Sequence, residues 1–143
     1  MQGSLLLSFA AGLAVVGLAG AAQAAPAPRP PLFSQALPDV AGKQLVVVNL
    51  TLPPAGGPSR PHRHPGSVFV YVTKGTARMG VEGQPVQVVH TGEYFFEAPG
   101  ALHVVSESES PTEPALAIAV MIVPDGAPLT LPATASAGAD HAH

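Results

Sequence analysis

The sequence predicts an all-β domain, a sandwich or barrel of short strands. Three observations carry this reading. The apolar residues fall in short runs rich in valine and other β-branched residues. Turn signals built on Gly or Pro separate most of the runs, and the runs recur at intervals suited to strand, turn and strand. Ala115 to Met121 could be helical by propensity. Its Ile-Ala-Val alternation, and the prolines at Pro114 and Pro124 that border it, favour a strand.

Taken in order, the chain starts with Leu5 to Ala25, a stretch of apolar or small residues without a charge that reaches Ala22-Gln23-Ala24 near its end. This A-x-A pattern suits signal peptidase, so residues 1–24 are read as a signal peptide and the mature chain as periplasmic or secreted. Met1-Gln2-Gly3-Ser4 lacks the usual basic residue, and an uncleaved anchor is the rival, because about 20 apolar residues can span a bilayer. Residues 25–31 contain Pro26, Pro28, Pro30 and Pro31, a density that favours an extended linker and excludes a helix.

Residues 32–123 form the predicted domain. Its strands are Leu45–Leu52, Val68–Thr73, Thr76–Val81, Pro85–Val89, Glu93–Glu97, Leu102–Val105 and Ala115–Val123. The turns are Pro53-Pro54-Ala55-Gly56-Gly57, Lys74-Gly75, Glu82-Gly83, Thr91-Gly92 and Pro99-Gly100. Residues 124–143 are rich in Ala, Pro, Gly, Ser and Thr, with too few large apolar groups to offset the entropy of ordering. They are read as a flexible tail, with Asp140, His141 and His143 as bystanders.

Composition narrows the function. Only 10% of the 143 residues are charged, the formal net charge is -3 and no basic cluster exists, which argues against nucleic acid as a partner. With no cysteine, disulfides, thiolate metal sites and cysteine nucleophiles are excluded. No Ser-His-Asp order, phosphate-cradling loop or dinucleotide fingerprint stands out.

The remaining chemistry lies in histidines. Residues two apart on a strand share a face at about 7 Å, so His62 and His64 can converge on one ion, and a strand about 4.8 Å away can add His103. Neutral imidazole is the commonest ligand for divalent transition metals. A His-x-His in a Pro-rich segment is also compatible with a solvated surface pair.

The glycines around these histidines decide between the two. Gly56 precedes His62-Arg63-His64 by five residues and Gly75 closes the following apolar run; Gly92 opens a segment that passes through Pro99-Gly100 to His103. This pattern resembles the two motifs of the cupin family over about Gly56 to Glu107. The resemblance implies a double-stranded β-helix, or jelly-roll, barrel, a metal held by His62, His64 and His103, and a homodimer, as is common among small cupins. The family's glutamate ligand falls at Val68, which cannot bind metal; the first proline of the second motif is Ala98 and its terminal asparagine is Glu107. A three-histidine face remains. In ligand count alone it is similar to the thiol dioxygenase branch of the family, which binds ferrous iron.

Glu97 lies just before the Pro-Gly turn and is the one candidate for acid–base catalysis; it could instead replace the missing carboxylate or support the site by hydrogen bonding. His90 reads as an exposed turn histidine. Arg63 should point away from its flanking histidines, towards a salt bridge or solvent. Phe69, Tyr71, Phe95 and Phe96 are candidates for core or pocket wall. If Pro65-Gly66 preserves the alternation, Val68, Val70 and Val72 share the histidine face while Phe69 and Tyr71 take the other, and a bulge there reverses this; in either case the floor is apolar and suits a small organic ligand.

These features point to an exported cupin that binds Fe, Zn, Cu or Ni and acts on a small organic molecule as an oxygenase, isomerase or decarboxylase. After leader cleavage it would contact no membrane. The alternative is a non-catalytic module that binds metal or a small ligand.

Overall fold

The computed structural model describes residues 30–57 and 60–135. Two five-stranded sheets face each other, every pairing is antiparallel, and no helix occurs among the described residues. In spatial order the first sheet contains β1 (Phe33–Ala36), β2 (Lys43–Leu52), β9 (Ala115–Pro124), β4 (Ser67–Lys74) and β7 (Tyr94–Glu97). The second contains β10 (Leu131–Pro132), β3 (His62–Arg63), β8 (Leu102–Ser108), β5 (Thr76–Val81) and β6 (Gln87–His90). This is the all-β jelly roll expected, with β1 and β10 added at the sheet edges.

Period-two alternation builds the interior. Val68, Val70 and Val72 point inward from β4, and Ala115, Ala117, Ala119, Met121 and Val123 from β9; all are buried. Met79 and Phe95 join them from β5 and β7. Burying a Val or Met side chain contributes about 1.5–3 kcal/mol, so this cluster supplies much of the fold's stability. Ala119, on the central strand of the first sheet, withholds side-chain volume and helps leave a cavity between the sheets.

Two glycines make this arrangement possible. A Cβ on Gly66 would overlap the Ile122 carbonyl, so only glycine lets β4 begin this close to β9. Gly75, at φ 81°, turns the chain out of β4 in the first sheet and into β5 in the second.

The alternation through Pro65-Gly66 is unbroken, so Val68, Val70 and Val72 take the histidine face and Phe69 and Tyr71 the other, as that condition implied; of the four aromatics only Phe95 is core. Phe95 is buried, but Phe69, Tyr71 and Phe96 are 40%, 42% and 55% exposed on the outer face of the first sheet. Register explains this: Val70 pairs with the inward Phe95, so their strand neighbours Phe69 and Phe96 pair with each other facing out. One row of the sheet reads Phe33, Val47, Val120, Phe69 and Phe96.

The segment expected to be a flexible tail also differs. Beyond Pro124 the chain turns back, and Leu131 and Pro132 pair with Arg63 and His62. Backbone pairing, together with Leu129 packed against the core, orders this segment, which is why a count of apolar groups missed it. Residues 136–143, with Asp140, His141 and His143, lie outside the described residues, as do residues 1–24 and 25–29.

Candidate metal centre

His62 and His103 are direct cross-strand partners on β3 and β8, and His64 follows two residues after His62. One candidate ligand nitrogen from each ring can be chosen so that all lie within 4.8 Å of one another. The three rings thus meet at one point between the sheets, as the spacing implied. His64 and His103 are buried, and His62 is half-buried.

Hydrogen bonds fix the rings. His62 Nδ1–H donates to the Arg60 carbonyl at 2.9 Å, and His64 Nδ1–H donates to the Leu129 carbonyl at 2.6 Å. Each neutral ring therefore turns a lone pair outward from Nε2. These two nitrogens stand 3.1 Å apart. In this tautomer neither carries a proton to share, so the approach is repulsive until a cation stands between them. The Leu129 carbonyl comes from the segment read as tail. Sequence offered no signal for it, because a backbone acceptor carries no residue identity.

Glu97 reaches the same point from the opposite sheet. Its Oε2 lies 3.3 Å from His103 Nδ1 and 3.9 Å from His64 Nε2. Burial raises the Glu97 carboxyl from 4.5 to about 7. His103 is pushed down to about 4 by burial and then by its neighbours His62 and His64. Burial also lowers His64, opposed by its hydrogen bond to Leu129 and reinforced by His62. Near neutral pH the imidazoles of His64 and His103 are thus held in the neutral form that metal ions require.

The donor set fits a divalent transition ion. Glu97 Oε2 and both ring nitrogens of His103 are buried and without a well-formed hydrogen bond among the described residues. Such groups are costly to bury unless something coordinates them. Three imidazole nitrogens suit Fe, Zn, Cu or Ni, and Zn–N bonds are about 2.0–2.1 Å long.

A cavity of about 420 Å³ opens beside the cluster. Its wall includes Val48, Leu50, Val68, Val70, Met79, Met121 and Leu129, with His62, His64, His103 and Glu97 at one end. Val68 lines the cavity where the family motif has glutamate. Met79, Leu129 and Ser106 were not singled out from sequence; the first two are apolar residues like many others until the sheets bring them to the cavity.

The remaining candidates fall elsewhere. His90 is exposed at the end of β6, its Nδ1 3.2 Å from Thr76 Oγ1. Arg63 points away from the histidines and is partly exposed, but its guanidinium makes backbone hydrogen bonds where a salt bridge was expected. It donates to the carbonyls of Gly100 at 2.6 Å and Ala133 at 3.1 Å, fixing both the Pro-Gly turn and the returning segment. Glu107 accepts from Arg78 at 2.8 Å and from the Gly56 N–H at 3.2 Å, tying the two motifs together.

Residues 48–121 match the family model of the cupin domain. That is more than half of the chain, which belongs to the cupin family. The DMSP lyase DddQ from Ruegeria pomeroyi aligns at 20% identity over 64% of this chain and 43% of its own, with a TM-score of 0.46. A cupin-like protein from Thermotoga maritima aligns at 23% identity over 56% of each chain, with a TM-score of 0.43. A protein from Klebsiella pneumoniae with a double-stranded beta-helix domain aligns at 24% identity over 65% of this chain and 76% of its own, with a TM-score of 0.47. The chain thus spans less than half of the lyase. No curated protein sequence matches it significantly.

Proposed function

We propose that this cupin is a metal-dependent enzyme acting on a small, partly apolar organic molecule. The observation that carries the reading is the convergence of His62 and His64 through lone pairs, each ring's own N–H being committed to a backbone carbonyl. His103 completes a face of three imidazoles. When bound, a divalent ion supplies positive charge that polarises an oxygen of the substrate or lowers the pKa of water. The chain's own contribution is to hold the rings, exclude water behind Val68, Val70 and Met121, and seat the ligand's apolar body on that wall. At about 420 Å³ the cavity lies within the usual range for small-molecule sites.

Elemental analysis of protein purified without a histidine tag tests the ion, with Fe, Zn, Cu or Ni expected near one per chain. Turnover of the loaded protein is then followed against a panel of diketones, phenolics and thiols, the oxygenase, isomerase and decarboxylase reactions being the candidates. Tight binding of panel members without any turnover would replace the enzyme by a non-catalytic binding module.

Two features of the reading concern where the protein works. The uncharged stretch before Ala22-Gln23-Ala24 supports export, with a mature start at Ala25; N-terminal sequencing that finds Met1 intact in a cytoplasmic fraction refutes it. The outer face of the first sheet supports a homodimer. Its five aromatics Phe33, Phe69, Tyr71, Tyr94 and Phe96 are 40–64% exposed. At about 200 Å² per ring they present about 500 Å², a large part of the roughly 800 Å² per partner of a stable interface. A sedimentation mass of one chain at 100 μM would remove it.

A further inference from the structure

We propose that the carboxylate missing at Val68 has moved one strand sideways, and that Glu97 is the fourth ligand of the metal. This rests on the three-histidine reading and adds a residue to it. Val68 and Glu97 are direct cross-strand partners on β4 and β7, so their side chains leave the same sheet face, with Cβ atoms about 5 Å apart. Glutamate is long enough to cover that offset. Its Oε2 arrives 3.3 Å from His103 Nδ1 and 3.9 Å from His64 Nε2. Two donors sharing one ion at about 2.1 Å each stand roughly 3.0–3.4 Å apart, so the oxygen needs shifts of only tenths of an ångström to join the histidines.

No other group claims this oxygen. Glu97 is 1% exposed, and Oε2 makes no hydrogen bond among the described residues. A residue that only supported His103 would make a well-formed bond to its ring N–H, whereas His103 Nδ1 is also without one. The neighbourhood of Val68 explains the exchange. Val68 pairs with Met121 on its other side, and both line the cavity. An apolar residue at position 68 joins that wall, while the carboxylate enters from the strand beyond. The resulting three-nitrogen, one-oxygen set also suits harder ions, so manganese, which a purely imidazole shell disfavours, joins the candidates.

The test is a crystal structure of the full chain loaded with Co²⁺, together with Co²⁺ affinities of wild type and Glu97→Gln measured by chelator competition. A Glu97 oxygen within about 2.5 Å of an ion held by His62, His64 and His103 is the expected result, with Kd rising at least 100-fold in the variant. An ion on the three histidines with Glu97 beyond that distance overturns the assignment and leaves the three-histidine site standing. A smaller loss of affinity makes Glu97 a positioning residue and likewise overturns it. A wild-type chain that takes up no Co²⁺ overturns both readings.

Discussion

Removing the charge of Glu97 without changing its shape should stabilise the metal-free protein, progressively as pH rises from 4.5 to 7 and fully above 7. The fold raises this carboxyl from 4.5 to about 7 through burial. At about 1.4 kcal/mol per pH unit, the ionised form costs the metal-free fold about 3 kcal/mol. With Glu97 1% exposed, solvent does little to screen this. Between pH 4.5 and 7 the folded chain keeps a proton that the unfolded chain has released. The contribution of Glu97 is therefore fully present below 4.5 and is lost as pH rises through 7. His103 works in the opposite sense. Lowered from 6.5 to about 4, it contributes stability above 6.5 that is lost as pH falls through 4. From pH 4.5 to 6.5 the two slopes cancel in the wild type.

Glu97→Gln removes one of the two slopes. Its amide can donate to His103 Nδ1, so little is lost by the exchange. Relative to wild type, the variant should gain almost nothing at pH 4.5 and about 3 kcal/mol at pH 8. The lowered His64 affects both proteins alike and cancels in the difference. Urea unfolding in EDTA, followed by far-ultraviolet circular dichroism, would show this as a midpoint increase of about 2 M at pH 8. The variant should also lose stability more steeply than the wild type as pH falls from 6.5 to 4, because the His103 slope is no longer offset. An advantage equal at both pH values, or a variant less stable at pH 8, would refute the argument that an unpaired buried carboxylate is strained without metal.

Replacing His64 or His103 by Ala should weaken Zn²⁺ binding by at least about 100-fold in chelator competition while leaving the far-ultraviolet spectrum unchanged, since the apolar sheet faces hold the barrel. Ending the chain at Pro128 removes the Leu129 carbonyl that orients His64, and titration calorimetry should show Zn²⁺ affinity reduced about 10- to 100-fold; an unchanged Kd would show that this bond does not set the ring. Gly66→Ala should cost about 3 kcal/mol or more, because the new Cβ meets backbone of Ile122 that cannot yield without parting β4 from β9, and a thermal melt would read it as a midpoint drop of well over 10 °C.

The sequence by itself determined seven of the ten described strands, β2 and β4 to β9, and pointed to the histidine triad, because these depend on periodicities of two and on fixed spacings along the chain. Val68, Val70 and Val72 announced their inward face by alternation, and His62 and His64 their shared face by the same rule. Tertiary structure decided what depends on neighbours from distant parts of the chain. That Phe95 turns inward while Phe69 and Phe96 face solvent follows from strand register, to which hydrophobicity alone is blind. That Arg63 binds the carbonyls of Gly100 and Ala133, and His64 that of Leu129, could not be read in advance, since every residue carries a carbonyl and only the fold places one. Glu97 stands between the two cases. Its proximity to the Pro-Gly turn was visible in the sequence, but its place opposite Val68, and its unpaired oxygen among the histidines, arise only when β4 and β7 pair and the two sheets close.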